Sequence, residues 1–375
     1  MYVRMQMRKC LLIFITPNLN FMKKIVLACC VLAAFSCKKE LNVNEVSEAA
    51  SQAENVSNAI TLNKQTKFGC LINGNFTINE DVDIAQNLNT KYTRSSLIMD
   101  QWKGKYTPFD TYAAGGISVI LNINSTRYDR SNAPFPKDMK NYRASLTNIT
   151  DKYQPEVAVI ENEEINKTYH GGPMSDYIKM LRVALDVCHA KGIKVTNGGI
   201  YGASLEISTY RYLQTISQSR ADDFGNNCME TFQINAAKKP NSNANLEADV
   251  RKLDTLLNFY GNLDYINVHL YEPFNPNATA SRVTGHTPHI VEDIQEFLSY
   301  RTGRPTMTNE TGQRDNTNPD LVTSMLKEYD RLKFPYVVWF SGDGDGGAEP
   351  LYDMQTGALQ SNGVAFSNFL NTYNN

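Results

Sequence analysis

From Lys67 onward the sequence alternates between two textures, and that alternation limits the available folds more than any other feature. Eight short runs rich in β-branched and aromatic residues stand at 68–72, 92–98, 117–122, 157–161, 194–198, 265–269, 306–309 and 336–340. Stretches with apolar residues at three- and four-residue spacing stand between them at 81–87, 142–152, 175–191, 246–260, 290–300 and 319–333. Short strands alternating with amphipathic helices make βα units, and βα units build parallel sheets. The segment between the second and third runs is poorly helical. Eight units closed on themselves predict an α/β protein with one (β/α)8 TIM-barrel domain over 67–375. An open doubly wound sheet is the competing arrangement, but no GxGxxG follows the first run. With 375 residues, 42% of them hydrophobic, the chain supplies one large core.

The first 66 residues read differently. Met22-Lys23-Lys24 precedes an apolar run over 25–35 and then Ser36-Cys37, the order of a secretory signal. The run is too short to span a bilayer comfortably. Cys37, directly after Ala34-Phe35-Ser36, resembles a lipoprotein box. That resemblance implies cleavage before Cys37 and a lipid on its sulfur; an ordinary cut near Ser36 is the alternative. Met22 begins a complete signal by itself, so residues 1–21 read as a misassigned upstream start. Residues 38–66 are polar and lack Trp, Tyr and Phe, which predicts a solvated tether. The expected location is therefore the cell envelope, periplasmic or on the outer-membrane surface, with the membrane as a partner through the lipid.

The formal net charge is −2, which gives no basic footprint for nucleic acid. Only Cys70, Cys188 and Cys228 lie outside the leader. Without CxxC or HExxH there is no reason to expect a disulfide framework, a metal or another cofactor. The domain is expected to act as a monomer.

In a barrel of this kind, residues at the C-terminal ends of strands surround the active site. The fourth run ends in Val159-Ile160-Glu161-Asn162-Glu163-Glu164, the seventh in Thr308-Asn309-Glu310-Thr311-Gly312. Two carboxyls meeting there, one kept protonated and one ionised, can cleave a glycosidic bond. These residues resemble the clan A retaining glycoside hydrolases. In that family the Glu of an Asn-Glu pair ending strand four is the acid/base, and a Glu ending strand seven is the nucleophile. The resemblance implies these roles for Glu163 and Glu310, and implies that Asn162 reaches the sugar 2-hydroxyl. It also implies that Tyr271 contacts the nucleophile and His269 lines the sugar site, from Val268-His269-Leu270-Tyr271. Arg94 would hold the nucleophile ionised, and Trp339 would floor the first sugar subsite. The substrate expected is a poly- or oligosaccharide.

Glu164 follows Asn-Glu where the family usually has a small turn-former. Strand alternation would put Glu161 and Glu163 on one face and Glu164 on the other, making Glu161 a rival for the acid role. Trp102 and Tyr201 are candidate sugar contacts beside strands two and five, and Trp102 reads equally as a loop anchor. His170 reads as a loop residue near the site. The stretch 203–245 reads as an elaborated loop shaping the cleft, and 341–347 as a flexible loop over it. A non-catalytic carbohydrate-binding lipoprotein on a degenerate barrel is the rival reading. A metal-dependent barrel hydrolase is a weaker one, since only His269 among the histidines stands at a strand end.

Overall fold

The computed structural model of the protein describes residues 62–126, 132–271, 288–313, 318–341 and 350–375. The leader, Cys37, nearly all of the tether and the segment 342–349 lie outside these residues.

Eight parallel strands form the barrel: β1 Lys67–Ile72, β2 Tyr92–Ile98, β3 Ser118–Asn124, β4 Val157–Ile160, β5 Lys194–Asn197, β6 Ile266–Tyr271, β7 Thr306–Gly312 and β8 Tyr336–Ser341. They run in the order β5-β4-β3-β2-β1-β8-β7-β6. Bridges from Thr196 to Tyr265 and from Ile200 to Val268 join β5 to β6 and close the ring. The fold is a (β/α)8 barrel.

Eleven helices are seen among the described residues: α1 Ile78–Asn87, α2 Thr107–Ala114, α3 Met139–Tyr153, α4 Met174–His189, α5 Ala203–Ile216, α6 Gln218–Cys228, α7 Thr231–Lys238, α8 Ala244–Tyr260, α9 Pro288–Thr302, α10 Pro319–Arg331 and α11 Ser361–Asn374. Their starts are chemically marked. Thr77 and Glu80 form a capping box on α1, and Asp138, Asn243 and Asn318 accept backbone N–H bonds at the heads of α3, α8 and α10. Such caps satisfy donors that no helix carbonyl can reach.

Two apolar layers result. Ile120, Val157, Val159, Met307, Tyr336 and Val338 plug the barrel interior. A larger layer fills the space between strands and helices. Three features depart from the sequence reading. The stretch 203–245 is not loop but the three helices α5, α6 and α7. The poorly helical segment before β3 does form α2. A last helix, α11, packs Phe366, Phe369, Leu370 and Tyr373 against the barrel.

Candidate active site

The site is built where the backbone of β4 stops being a strand. Beyond Ile160 both Glu161 and Glu163 adopt left-handed conformations, φ +65° and +44°, each costing of order 1 kcal/mol or more for a residue with a side chain. Neighbouring contacts hold the turn. Tyr177 donates its hydroxyl to the Ile160 carbonyl at 2.7 Å and accepts the Gly198 N–H at 3.0 Å. His170 lies 3.1 Å from the Asn162 carbonyl and stacks on Phe135. A carbonyl only accepts, so His170 carries its proton on Nε2; burial lowers its pKa to about 4.

Strand alternation therefore does not extend over the acids, and Glu161 and Glu163 do not share a face in the way the sequence suggested. The three carboxylates diverge. Glu161 accepts the Ser125 N–H at 2.9 Å beside β3, and burial pushes its pKa up to about 7. Glu164 accepts from Asn197 at 3.1 Å and from the Tyr260 hydroxyl, with its pKa raised by burial. Glu163 alone turns toward the barrel mouth, where Asn166 Nδ2 donates to its Oε2 at 2.6 Å and His269 Nδ1 lies 3.0 Å from its Oε1.

Glu310 reaches the same mouth through an irregularity in β7. Asn267 pairs with Met307, but His269 pairs with Glu310, so β7 carries one extra residue between the two pairs. A bulge of this kind re-aims the side chains that follow it. Met307 faces the barrel interior, and regular alternation would turn Glu310 away from it. With the bulge, Asn309 and Glu310 both face inward, and Thr311 turns out to Tyr329 at 2.8 Å. A carboxyl oxygen of Glu163, a ring nitrogen of His269 and a carboxyl oxygen of Glu310 all lie within 4.8 Å of one another.

The two acids have unlike surroundings. Arg94 on β2 donates one guanidinium nitrogen to Glu310 Oε2 and another to Asn162 Oδ1, the latter at 2.7 Å. Tyr271 donates its hydroxyl to Glu310 Oε1, and His269 Nδ1 is 3.7 Å from Oε2. Burial disfavours the Glu310 charge, but His269, Arg94 and Tyr271 outweigh it and bring its pKa down to about 2. Burial likewise disfavours a charged His269, but Glu310 and Glu163 outweigh it and raise its pKa. The cluster offers three atoms to a cation. Both oxygens of each carboxylate are already engaged, however, and the Arg94 charge stands beside them, so the donor set suits proton transfer better than a metal.

The remaining sequence candidates divide. Arg94, His269 and Tyr271 contact the acids, and Asn162 joins them through Arg94. Tyr201 is 39% exposed and shares a cleft of about 280 Å³ with Glu163, Asn166, Lys167, Gly199, Leu246 and Asp249. Trp339 is misplaced by the sequence reading. Its ring is fully buried and packs edge-on against Phe366 of α11, centroids 6.0 Å apart. Strand parity explains this: Tyr336 and Val338 face the interior, so Trp339 faces the helices and Phe340 returns inward. Phe340 is the aromatic at the end of β8 that stands beside Tyr271, 5.8 Å between centroids. Trp102 is a loop anchor rather than a sugar platform. Its Nε1 donates to Tyr153 at 3.2 Å, and its ring packs edge-on against that tyrosine of α3.

Sequence reasoning missed Asn166, Asn309 and Phe340, and did not connect Gly199 with His269. A Cβ on Gly199 would lie 2.1 Å from His269 Nε2, and its φ is +121°. The glycine after β5 therefore admits the imidazole. Nothing in the sequence signals which of Trp339 and Phe340 faces inward, because both faces of the strand are apolar.

No family model matches the chain, and no curated protein matches it. Solved structures of glycoside hydrolases do. A GH128 (subgroup I) endo-beta-1,3-glucanase from Amycolatopsis mediterranei is 13% identical over 80% of this chain and 98% of that one, with a TM-score of 0.44. A family 39 glycoside hydrolase from the gut symbiont Bacteroides cellulosilyticus is 14% identical over 82% of this chain and 64% of that one, TM-score 0.47. A beta-glycosidase is 11% identical over 79% and 85%, TM-score 0.51. At these identities the likeness bears on fold alone, and the chain's fold is one that glycoside hydrolases also adopt.

Proposed function

We propose that the protein is a retaining glycoside hydrolase acting on a poly- or oligosaccharide. The observation that supports this best is the approach of a carboxyl oxygen of Glu163 and one of Glu310 to within 4.8 Å, with Arg94 and Tyr271 bonded to Glu310 and Asn166 to Glu163. Retaining enzymes hold their two carboxyl groups roughly 5–5.5 Å apart, whereas inverting ones leave room for a water. Glu310, kept ionised by Arg94, His269 and Tyr271, attacks the anomeric carbon and forms a glycosyl ester. Glu163 gives its proton to the departing oxygen, then takes one from the water that hydrolyses the ester. Asn162 takes the role of meeting the 2-hydroxyl, and Phe340 takes the platform role first assigned to Trp339. We further propose that Cys37 carries the lipid that tethers the domain to the cell envelope.

The test is turnover on a panel of β-glycans and activated aryl glycosides by wild type, Glu310→Ala and Glu163→Ala. Both variants should lose turnover of unactivated glycans. Azide should restore Glu310→Ala on activated substrates and yield a glycosyl azide of inverted configuration. Unchanged activity in either variant removes that residue from the mechanism. A wild type that binds a glycan without cleaving it favours the non-catalytic reading.

A further inference from the structure

Four amide and imidazole side chains beneath the site form one directed chain. The Asn267 N–H donates to Asn197 Oδ1 at 2.8 Å, and the Asn309 N–H donates to Asn267 Oδ1 at 3.0 Å. A backbone N–H only donates, so both amide orientations are fixed. Asn267 must then present Nδ2 to Asn309, and it donates to Asn309 Oδ1 at 2.7 Å. The same Asn309 oxygen lies 3.0 Å from His269 Nε2. An oxygen that accepts from Asn267 accepts from the imidazole as well, so Nε2 bears a proton. Flipping the Asn309 amide would set its Nδ2 against the Nδ2 of Asn267, donor against donor. Gly199 leaves the space that lets the ring stand there.

The proton on Nε2 restricts the other side of the ring. His269 Nδ1 faces Glu163 Oε1 at 3.0 Å, while Glu163 Oε2 is engaged as an acceptor by Asn166. If the imidazole is neutral, Nδ1 is a bare acceptor and the Glu163 proton sits on Oε1, between the two groups. If the imidazole is charged, Nδ1 holds that proton and Glu163 is a carboxylate. Either way the pair holds a single mobile proton.

We propose that Asn309 is a positioning residue that locks His269 in its Nε2–H form, so that His269 and Glu163 share the proton the acid delivers. This inference rests on the reading of Glu163 as the acid. In the step itself the Nδ1–H bond breaks as Glu163 Oε1–H forms, and Oε1–H breaks as the leaving oxygen is protonated. His269 ends neutral, still donating Nε2–H to Asn309. Glu310 is then esterified and no longer favours a charged imidazole. Four charged or titratable groups face the ring: Glu163 and Glu164 beyond β4, Glu310 on β7 and Arg94 on β2. Tyr271 reaches it only through Glu310.

The test pairs two variants of opposite sign. Asn309→Leu removes the acceptor and disfavours the charged ring. The alkaline limb of kcat/KM on an unactivated glycan should fall by about one pH unit, the scale of a hydrogen bond to a charged group. Asn309→Asp keeps the acceptor, adds charge and should move that limb upward while preserving the fold. On a dinitrophenyl glycoside, which departs without an acid, both variants should keep kcat/KM within a few-fold of wild type. Nitrogen-15 NMR of labelled histidine, with His269→Asn identifying the signal, reads the tautomer without any substrate. It should report Nε2–H in wild type and in Asn309→Asp. A ring protonated only on Nδ1 in wild type overturns the proposal, as do two variants whose limbs move together or not at all. A correct tautomer in a protein that cleaves no glycan would instead count against the glycosidase reading alone.

Discussion

Trp339 and Phe340 are adjacent aromatics, and replacing each in turn separates core from site. Trp339 is fully buried against Phe366, and its Nε1 has no partner among the described residues. Trp339→Ala leaves a large apolar cavity without orphaning a hydrogen bond elsewhere. Such truncations cost about 3–5 kcal/mol. For a domain of this size each kcal/mol lowers Tm by roughly 2 °C, so the fall should be about 6–10 °C. Trp339→Phe keeps much of the ring and should lose less than half of that. Neither change should alter KM at 25 °C, because the ring does not reach the mouth. Phe340→Ala should behave in the opposite way. Its partly exposed ring stands beside Tyr271, and in the platform role it would stack on a sugar ring; losing an aromatic contact of that size costs about 0.5–1.5 kcal/mol, or roughly a two- to ten-fold rise in KM. Differential scanning fluorimetry and steady-state kinetics on the same preparations measure both effects. A Trp339→Phe protein with wild-type Tm and a ten-fold higher KM would refute the assignment of faces on β8.

Three further outcomes follow from the site. Gly199→Ala forces a methyl to 2.1 Å from His269 Nε2 at a φ of +121°; activity should drop at least ten-fold with a measurable loss of Tm, and a fully active, fully stable variant would contradict the packing. Glu161→Gln should retain activity where Glu163→Gln loses about 10²–10⁴-fold on unactivated substrates. It should also flatten the pH dependence of stability: the folded-state pKa of Glu161 is raised from 4.5 to about 7, so its contribution is complete below pH 4.5 and lost as pH rises through about 7. Urea midpoints at pH 4.5 and 8 for both proteins read this directly. Arg94→Met removes one of the charges holding Glu310 ionised down to about pH 2. The acidic limb of kcat/KM should move upward by about 1–3 units, and an unmoved limb would deny Arg94 that role.

The site was legible in the sequence to the extent that its chemistry is local to strand ends. Arg94, Tyr271 and Glu310 sit where apolar runs meet polar residues, and β2 was bounded correctly because its run is sharply framed. Parity was not legible. Both faces of a parallel barrel strand are apolar, so Tyr-Val-Val-Trp-Phe does not say which aromatic looks inward. That is settled by Val338 meeting Val159 and Met307 inside the barrel, a matter of pairing between distant strands. The bulge in β7 is illegible for the same reason: Thr308 and Asn309 look like ordinary strand residues, and only their register against Asn267 and His269 reveals the extra one.

The asparagines make the sharpest case. Asn197, Asn267 and Asn309 are residue types that read as turn formers or strand breakers, yet all three are fully buried within β5, β6 and β7. A buried amide is costly unless its donors and acceptors are matched, and these three bond mainly to one another, although Asn309 Nδ2 is buried without a partner. The cost of any one is therefore defined only when the other two are in place. A reading that scores residues one at a time cannot detect such a set, because each member alone argues against the position it holds. Gly199 belongs to the same class. Its missing side chain has no meaning until His269, seventy residues later in the chain, is brought to within 2.1 Å of where that side chain would be.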